Sequence, residues 1–95
     1  MSVYFIFIRE RLRDQKEIDA YAKLAPAAAK GHNMRPLAVY GKTETLEGAE
    51  AQGVVILEFA TYEEGMAWNN SSEYSEAMKH RNLGADYRLI VTHGI

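Results

Sequence analysis

The chain has 95 residues and no cysteine, with 47% hydrophobic and 25% charged residues. A single compact domain over residues 1–95 is what this length supports, with a thin core that buries roughly 60–65% of the surface the unfolded chain exposes. Without Cys there are no disulfides, thiolate metal sites or thiol nucleophiles, and eleven Lys and Arg against thirteen Asp and Glu (net charge −2) argue against a nucleic-acid surface.

The longest uncharged apolar stretch near the N-terminus, residues 3–8, is closed by Arg9-Glu10-Arg11. It is too short for a signal peptide or a membrane span. A cytoplasmic location with no membrane partner is therefore predicted. Residues 3–9, rich in aromatic and β-branched side chains, read as the first strand. Asp14 followed by Glu17 is an acidic capping box that opens a helix. Ile18, Tyr21, Ala22, Ala25 and Ala29 form its apolar stripe. Pro26 inside that stripe predicts a kink or restart, and Gly31 a left-handed C-terminal cap.

Residues 37–40 read as the core of a second strand. Residues 42–52, polar and glycine-containing, read as a long hairpin loop with room for short strand extensions. Residues 53–59 form a third strand whose apolar run Val54-Val55-Ile56-Leu57 suits a central position. Thr61 and Glu64 make a second capping box, starting a helix through Trp68. Ser71 or Ser72 caps a further helix over residues 73–82, which Gly84 ends. Residues 87–93 give the last strand.

The order β-α-β-β-α-β, with its second helical region broken in two, predicts an α+β ferredoxin-like fold: an antiparallel sheet with helices on one face. In the first strand Val3, Phe5 and Phe7 point one way while Tyr4, Ile6 and Ile8 point the other. In the third, Val54, Ile56 and Glu58 oppose Val55, Leu57 and Phe59. Both faces are apolar and the helices cover only one. The open face predicts a homodimer formed sheet against sheet.

Glu58-Phe59, Ala67-Trp68-Asn69-Asn70-Ser71-Ser72-Glu73-Tyr74, His80-Arg81, Gly84-Ala85-Asp86-Tyr87-Arg88 and Gly94 together resemble the DUF1330 family. Its second half carries an E-F pair, a W-x-x-S-x-x-Y element and a following Arg at matching spacing. Asp14, Tyr21, Pro26, Gly31 and Leu46-Glu47-Gly48 extend the likeness over nearly the whole chain. The departures are Ser-Ser-Glu-Tyr in place of S-P-E-Y and Gly31-His32 in place of Gly-Gly. The resemblance implies a dimeric α+β barrel, and related barrels include cofactor-free monooxygenases, haem degraders, dehydratases and decarboxylases. It names no reaction for this chain.

Glu58 closes an otherwise apolar central strand, and Arg81 continues the helical stripe of Tyr74, Ala77 and Met78. A buried charge needs a partner, so each is a candidate for chemistry or for a structural ion pair. As functional groups, Glu58 is a general base and Arg81 an anion anchor. Trp68 and Tyr74 are core aromatics or one wall of an apolar pocket. His80 and His93 are the further acid–base candidates. Tyr87 and Arg88, adjacent on a strand, face opposite ways, so only one of them reaches a pocket. Ser71 suits a cap better than a nucleophile. His32, His80 and His93 show no metal-ligand spacing, so no metal site is read from them. Without a G-x-G-x-x-G or P-loop no nucleotide cofactor is predicted, and no other cofactor is either. The third strand lacks the basic and stacking residues of an RNA-binding sheet. The reading is a small-molecule enzyme with an apolar pocket; a non-catalytic ligand-binding or structural homodimer is the alternative.

Overall fold

The computed structural model describes all 95 residues. Strand β1 (Val3–Leu12) is followed by α1 (Gln15–Ala28), β2 (Met34–Val39), β3 (Gly53–Phe59), α2 (Tyr62–Asn69), α3 (Ser72–Gly84) and β4 (Ala85–His93). The four strands form one antiparallel sheet in the order β2-β3-β1-β4. This is the ferredoxin-like α+β arrangement, with its apolar central strands β1 and β3 side by side.

Register fixes which residues share a face. Val3, Phe5 and Phe7 pair with Phe59, Leu57 and Val55 on β3, and with His93, Val91 and Leu89 on β4. Five of these nine, Val3, Phe5, Phe7, Leu57 and Phe59, are buried beneath the helices with Trp68, Tyr74 and Ala77. Trp68 is the hub: Phe5, Phe7, Phe59 and Tyr74 all lie within 6.3 Å of it, centroid to centroid. Edge-to-face and tilted pairs of this kind add to the stabilisation from burial alone. The opposite face carries Tyr4, Ile6, Ile8, Val54, Ile56 and Ile90, and no element covers it.

Three caps follow the sequence. Asp14 accepts from the Lys16 N–H, Thr61 from that of Glu64, and Ser71 from that of Tyr74. Other expectations are corrected. Helix α1 runs through Pro26 without restarting, because in the last turn proline forfeits only the bond to the Ala22 carbonyl. Its C-cap is Ala29, and Gly31 (φ 81°) serves the turn beyond. Strand β2 begins at Met34, extended by pairing to the second half of β3, and residues 42–52 add no strand. No turn separates α3 from β4. The Gly84 carbonyl accepts from the Arg13 and Asp14 N–H groups at 2.8 and 3.0 Å, fastening this junction to the end of β1.

Gly65 shows how tightly α2 sits on the sheet. A Cβ there would lie 2.4 Å from Phe5 Cε1, and Phe5 is fully buried. Alanine gains about 1 kcal/mol in helix propensity, but overpacking a filled core costs about 1–3 kcal/mol. Gly65→Ala should therefore lower the urea midpoint. An unchanged or higher midpoint would show that the Phe5 ring yields freely.

Candidate functional site

Between α1 and the sheet lies a cavity of ≈ 550 Å³. Its floor is Phe7, Val55 and Leu57 on the strands. Its roof is Tyr21, Ala22, Ala25, Pro26 and Ala29 on α1, with Trp68 at one end and Tyr40 and Tyr87 at another. The hollow follows from side-chain size: on the flank of α1 that looks toward β3 and β2 the residues are alanines and a proline, short side chains that leave the space open to solvent. The volume falls within the range of small-molecule sites, and thirteen of its fifteen lining residues are hydrophobic.

Polar groups enter at two points. On the inner side, Arg81 Nη1 donates to Tyr74 Oη at 3.0 Å, and Tyr74 Oη is 2.8 Å from Oη of the cavity-lining Tyr21. Arg81 is only 6% exposed and forms no ion pair. Its guanidinium carbon instead lies 5.4, 6.0 and 5.6 Å from the ring centres of Phe7, Tyr74 and Tyr87, and its Nε has no partner. Three π faces, the Tyr74 hydroxyl and the Asn82 Oδ1, which accepts from Arg81 Nη2 at 3.4 Å, thus take the place of a carboxylate around this buried cation. On the outer side, Tyr40 Oη is 2.5 Å from Tyr87 Oη, and the Arg9 guanidinium lies 5.2 Å from the Tyr40 ring centre. Tyr40 has a φ of 51°, a conformation costly for an aromatic residue. Gly53 makes room for it, since a Cβ there would meet Tyr40 Cδ1 at 2.7 Å.

Burial raises the Tyr21, Tyr40 and Tyr74 hydroxyls above their ordinary value. For Tyr21 the charge of Tyr74 adds to the rise, and for Tyr40 the hydrogen bond to Tyr87 does the same. At Tyr74 the Arg81 charge opposes burial without overcoming it. All three are therefore neutral phenols at physiological pH.

The candidate residues separate into distinct places. Trp68 and Tyr87 line the cavity, while Tyr74 and Arg81 stand directly behind its wall. Glu58 lies on the open sheet face, opposite Tyr4 and Arg35, with an Arg35 nitrogen 3.8 Å from its carboxylate. It therefore shares no site with Arg81. Arg88 is on that open face too, opposite Ile8. His80 Nδ1 is 2.6 Å from Glu17 Oε2, tying α3 to α1, and His93 stacks on Tyr62 near the far end of β4. Neither histidine lines the cavity. Tyr21 and Tyr40 belong to the site although the sequence reading did not single them out. For Tyr21 the signal was present, as the one polar-tipped residue in a stripe otherwise made of Ile and Ala.

The family described as "Domain of unknown function (DUF1330)" matches residues 2–95. The chain belongs to the DUF1330 family. Solved structures show the same fold around this DUF1330 chain at low identity. The RPA0582 protein of unknown function from Rhodopseudomonas palustris superposes with a TM-score of 0.76 at 18% identity, over 99% of this chain and 82% of that one. SnoaB, a cofactor-independent oxygenase from Streptomyces nogalater, gives 0.73 at 9%, over 99% and 93%. A dimeric ferredoxin-like protein of unknown function from Thermobifida fusca gives 0.63 at 16%, over 99% and 92%. The comparison with curated proteins gives no match. No helix of the chain is long and apolar enough to cross a membrane.

The raised tyrosine hydroxyls predict alkaline sensitivity. Their folded pKa values exceed the unfolded value near 10. The stability linked to keeping them protonated is thus complete below about pH 10 and is lost as pH rises above it. Denaturation melts should show stability falling above about pH 10, and Tyr21→Phe should make that fall shallower. An equal slope in the variant would contradict the assignment.

Proposed function

We propose that the protein is a homodimer in which each chain holds one small, largely apolar organic molecule in the cavity between α1 and the sheet. The observation that carries this reading is the cavity itself: a hollow of ≈ 550 Å³, walled by aromatic and small aliphatic side chains, with tyrosine hydroxyls as its polar points. A concave, mostly apolar hollow of that size, open to solvent along Ala22, Pro26 and Tyr40, has the form of a small-molecule site. A ring system of one or two fused rings matches its dimensions and its walls.

The uncovered sheet face supports the homodimer. Tyr4, Ile6, Ile8, Val54, Ile56 and Ile90 form a continuous apolar surface, with Glu58 and Arg35 at one corner and Arg88 at another. A second copy meets this surface with its own apolar rows, and with charges of both signs at the rim. The dimeric neighbour from Thermobifida fusca supports the same assembly. In this reading Glu58 acts at the rim of the interface.

The enzymatic form of the proposal is oxidation of the bound molecule, which the fold likeness to the oxygenase SnoaB supports. The binding-module form is favoured by a specific observation: no carboxylate or imidazole lines the cavity. Acid–base work there falls to the tyrosines. Incubation with a hydroxylated bicyclic aromatic in air, followed by product analysis, separates the two. Turnover that is lost in Tyr21→Phe supports an enzyme, whereas binding without turnover supports a module.

Two outcomes check the assembly. Light scattering should give about twice the chain mass of 10.7 kDa, and Ile6→Glu should reduce it to the monomer value. Glu58→Gln should weaken dimerisation while leaving ligand affinity unchanged. A monomeric wild type, or a loss of ligand binding in Glu58→Gln, would overturn this division of roles.

A further inference from the structure

The hydrogen bonds behind the cavity wall have a direction, and it follows from counting protons. Tyr74 is completely buried and its hydroxyl has one proton and two lone pairs. Arg81 carries only donors, so its 3.0 Å bond occupies a lone pair of Tyr74 Oη. The Tyr74 proton then has one acceptor within reach, Tyr21 Oη at 2.8 Å. The opposite orientation, with Tyr21 donating, would leave the Tyr74 proton buried and unpaired, which is costly. Donation therefore runs from Arg81 to Tyr74 to Tyr21. The Tyr21 hydroxyl proton is the one left over, on a residue that lines the cavity and has no second partner.

We propose that Tyr21 is the specificity-determining hydrogen-bond donor of the cavity, and that its ligands are apolar ring molecules carrying an acceptor oxygen, a carbonyl or a phenolate. The proposal rests on the cavity being the ligand site, and adds the chemical class that site selects. Arg81 serves as a positioning residue. Its fixed positive charge polarises the Tyr74 hydroxyl, which in turn strengthens Tyr21 as a donor, since successive hydrogen bonds reinforce one another in a low-dielectric setting. The chain delivers the influence of a cation to the ligand without placing the cation in the cavity. It suits a neutral carbonyl, or an oxygen that gains negative charge, and does not suit an ammonium group. Tyr40 and Tyr87 also share a proton-bearing contact at the outer wall, but Tyr40 is 41% exposed and water can take up the spare proton there.

The test uses two probes of nearly equal shape, 1-indanone and indane, which differ by the carbonyl. Trp68 is the single tryptophan and lines the cavity, so its indole N–H signal in a proton–nitrogen correlation spectrum reports binding of either probe. Wild type should bind indanone about tenfold more tightly than indane, the worth of one net hydrogen bond. Tyr21→Phe should keep its indane affinity, which shows that the cavity is intact, and lose the preference for indanone. Tyr74→Phe should reduce the preference, and Tyr62→Phe, outside the cavity, should leave it unchanged. Equal binding of both probes by wild type would overturn the donor proposal while the cavity stands as a ligand site. A preference that survives Tyr21→Phe, or disappears in Tyr62→Phe, would overturn it as well. If neither probe moves the Trp68 signal, the cavity reading and the donor assignment fall together.

Discussion

The architecture turns on a mismatch of side-chain size between the two long helices. Helix α3 and its neighbour α2 bring Tyr74, Trp68 and Met66 to the sheet, and these meet Phe5, Phe7 and Phe59 in a filled aromatic core. Helix α1 brings Ala22, Ala25, Pro26 and Ala29 over β3 and β2. Bulky residues on one side hold the helical layer away from the strands, and short ones on the other do not fill the gap that results. Close packing elsewhere makes the hollow a property of the fold, because the aromatic side cannot relax to close it.

The same mismatch explains the unusual treatment of charge. A buried arginine usually demands a carboxylate, because an unpaired cation in a low-dielectric interior is costly. Here Phe7, Tyr74 and Tyr87 crowd the Arg81 guanidinium with ring faces, and the Tyr74 phenol and the Asn82 side-chain oxygen accept from it. The carboxylates are spent elsewhere: Glu17 on His80, Asp86 on Arg13, Glu58 near Arg35. The helix side of the sheet is thus a place of neutral hydroxyls and one cation, whereas the open side mixes apolar rows with charges of both signs at its rim. One sheet carries the hollow on its helix face and an uncovered apolar surface on the other.

Much of this was legible in the sequence. Alternation in β1 and β3 assigned every core residue of those strands to its face and showed that both faces were apolar. The i, i+3, i+4, i+7 pattern of Tyr74, Ala77, Met78 and Arg81 placed the arginine on a buried stripe. The separation of Glu58 from Arg81 was not legible, because it depends on which sheet face the helices choose. The cavity was hidden for a similar reason. Ala22, Ala25 and Ala29 form a normal apolar stripe, and only the height of the neighbouring aromatics turns small residues into an empty space. Tyr21 was overlooked because its importance comes from Tyr74 and Arg81, more than fifty residues away in the chain. Pro26 misled in the other direction, since a proline in the last turn breaks little.

The central claim is that the hollow under α1 is where this protein meets its ligand. A crystal structure grown in the presence of 1-indanone tests it most directly. The account predicts density for one ring system between Ala25 and Leu57, its oxygen within hydrogen-bond distance of Tyr21 Oη. Density confined to the open sheet face, or a cavity filled only by ordered water at saturating probe, would contradict it.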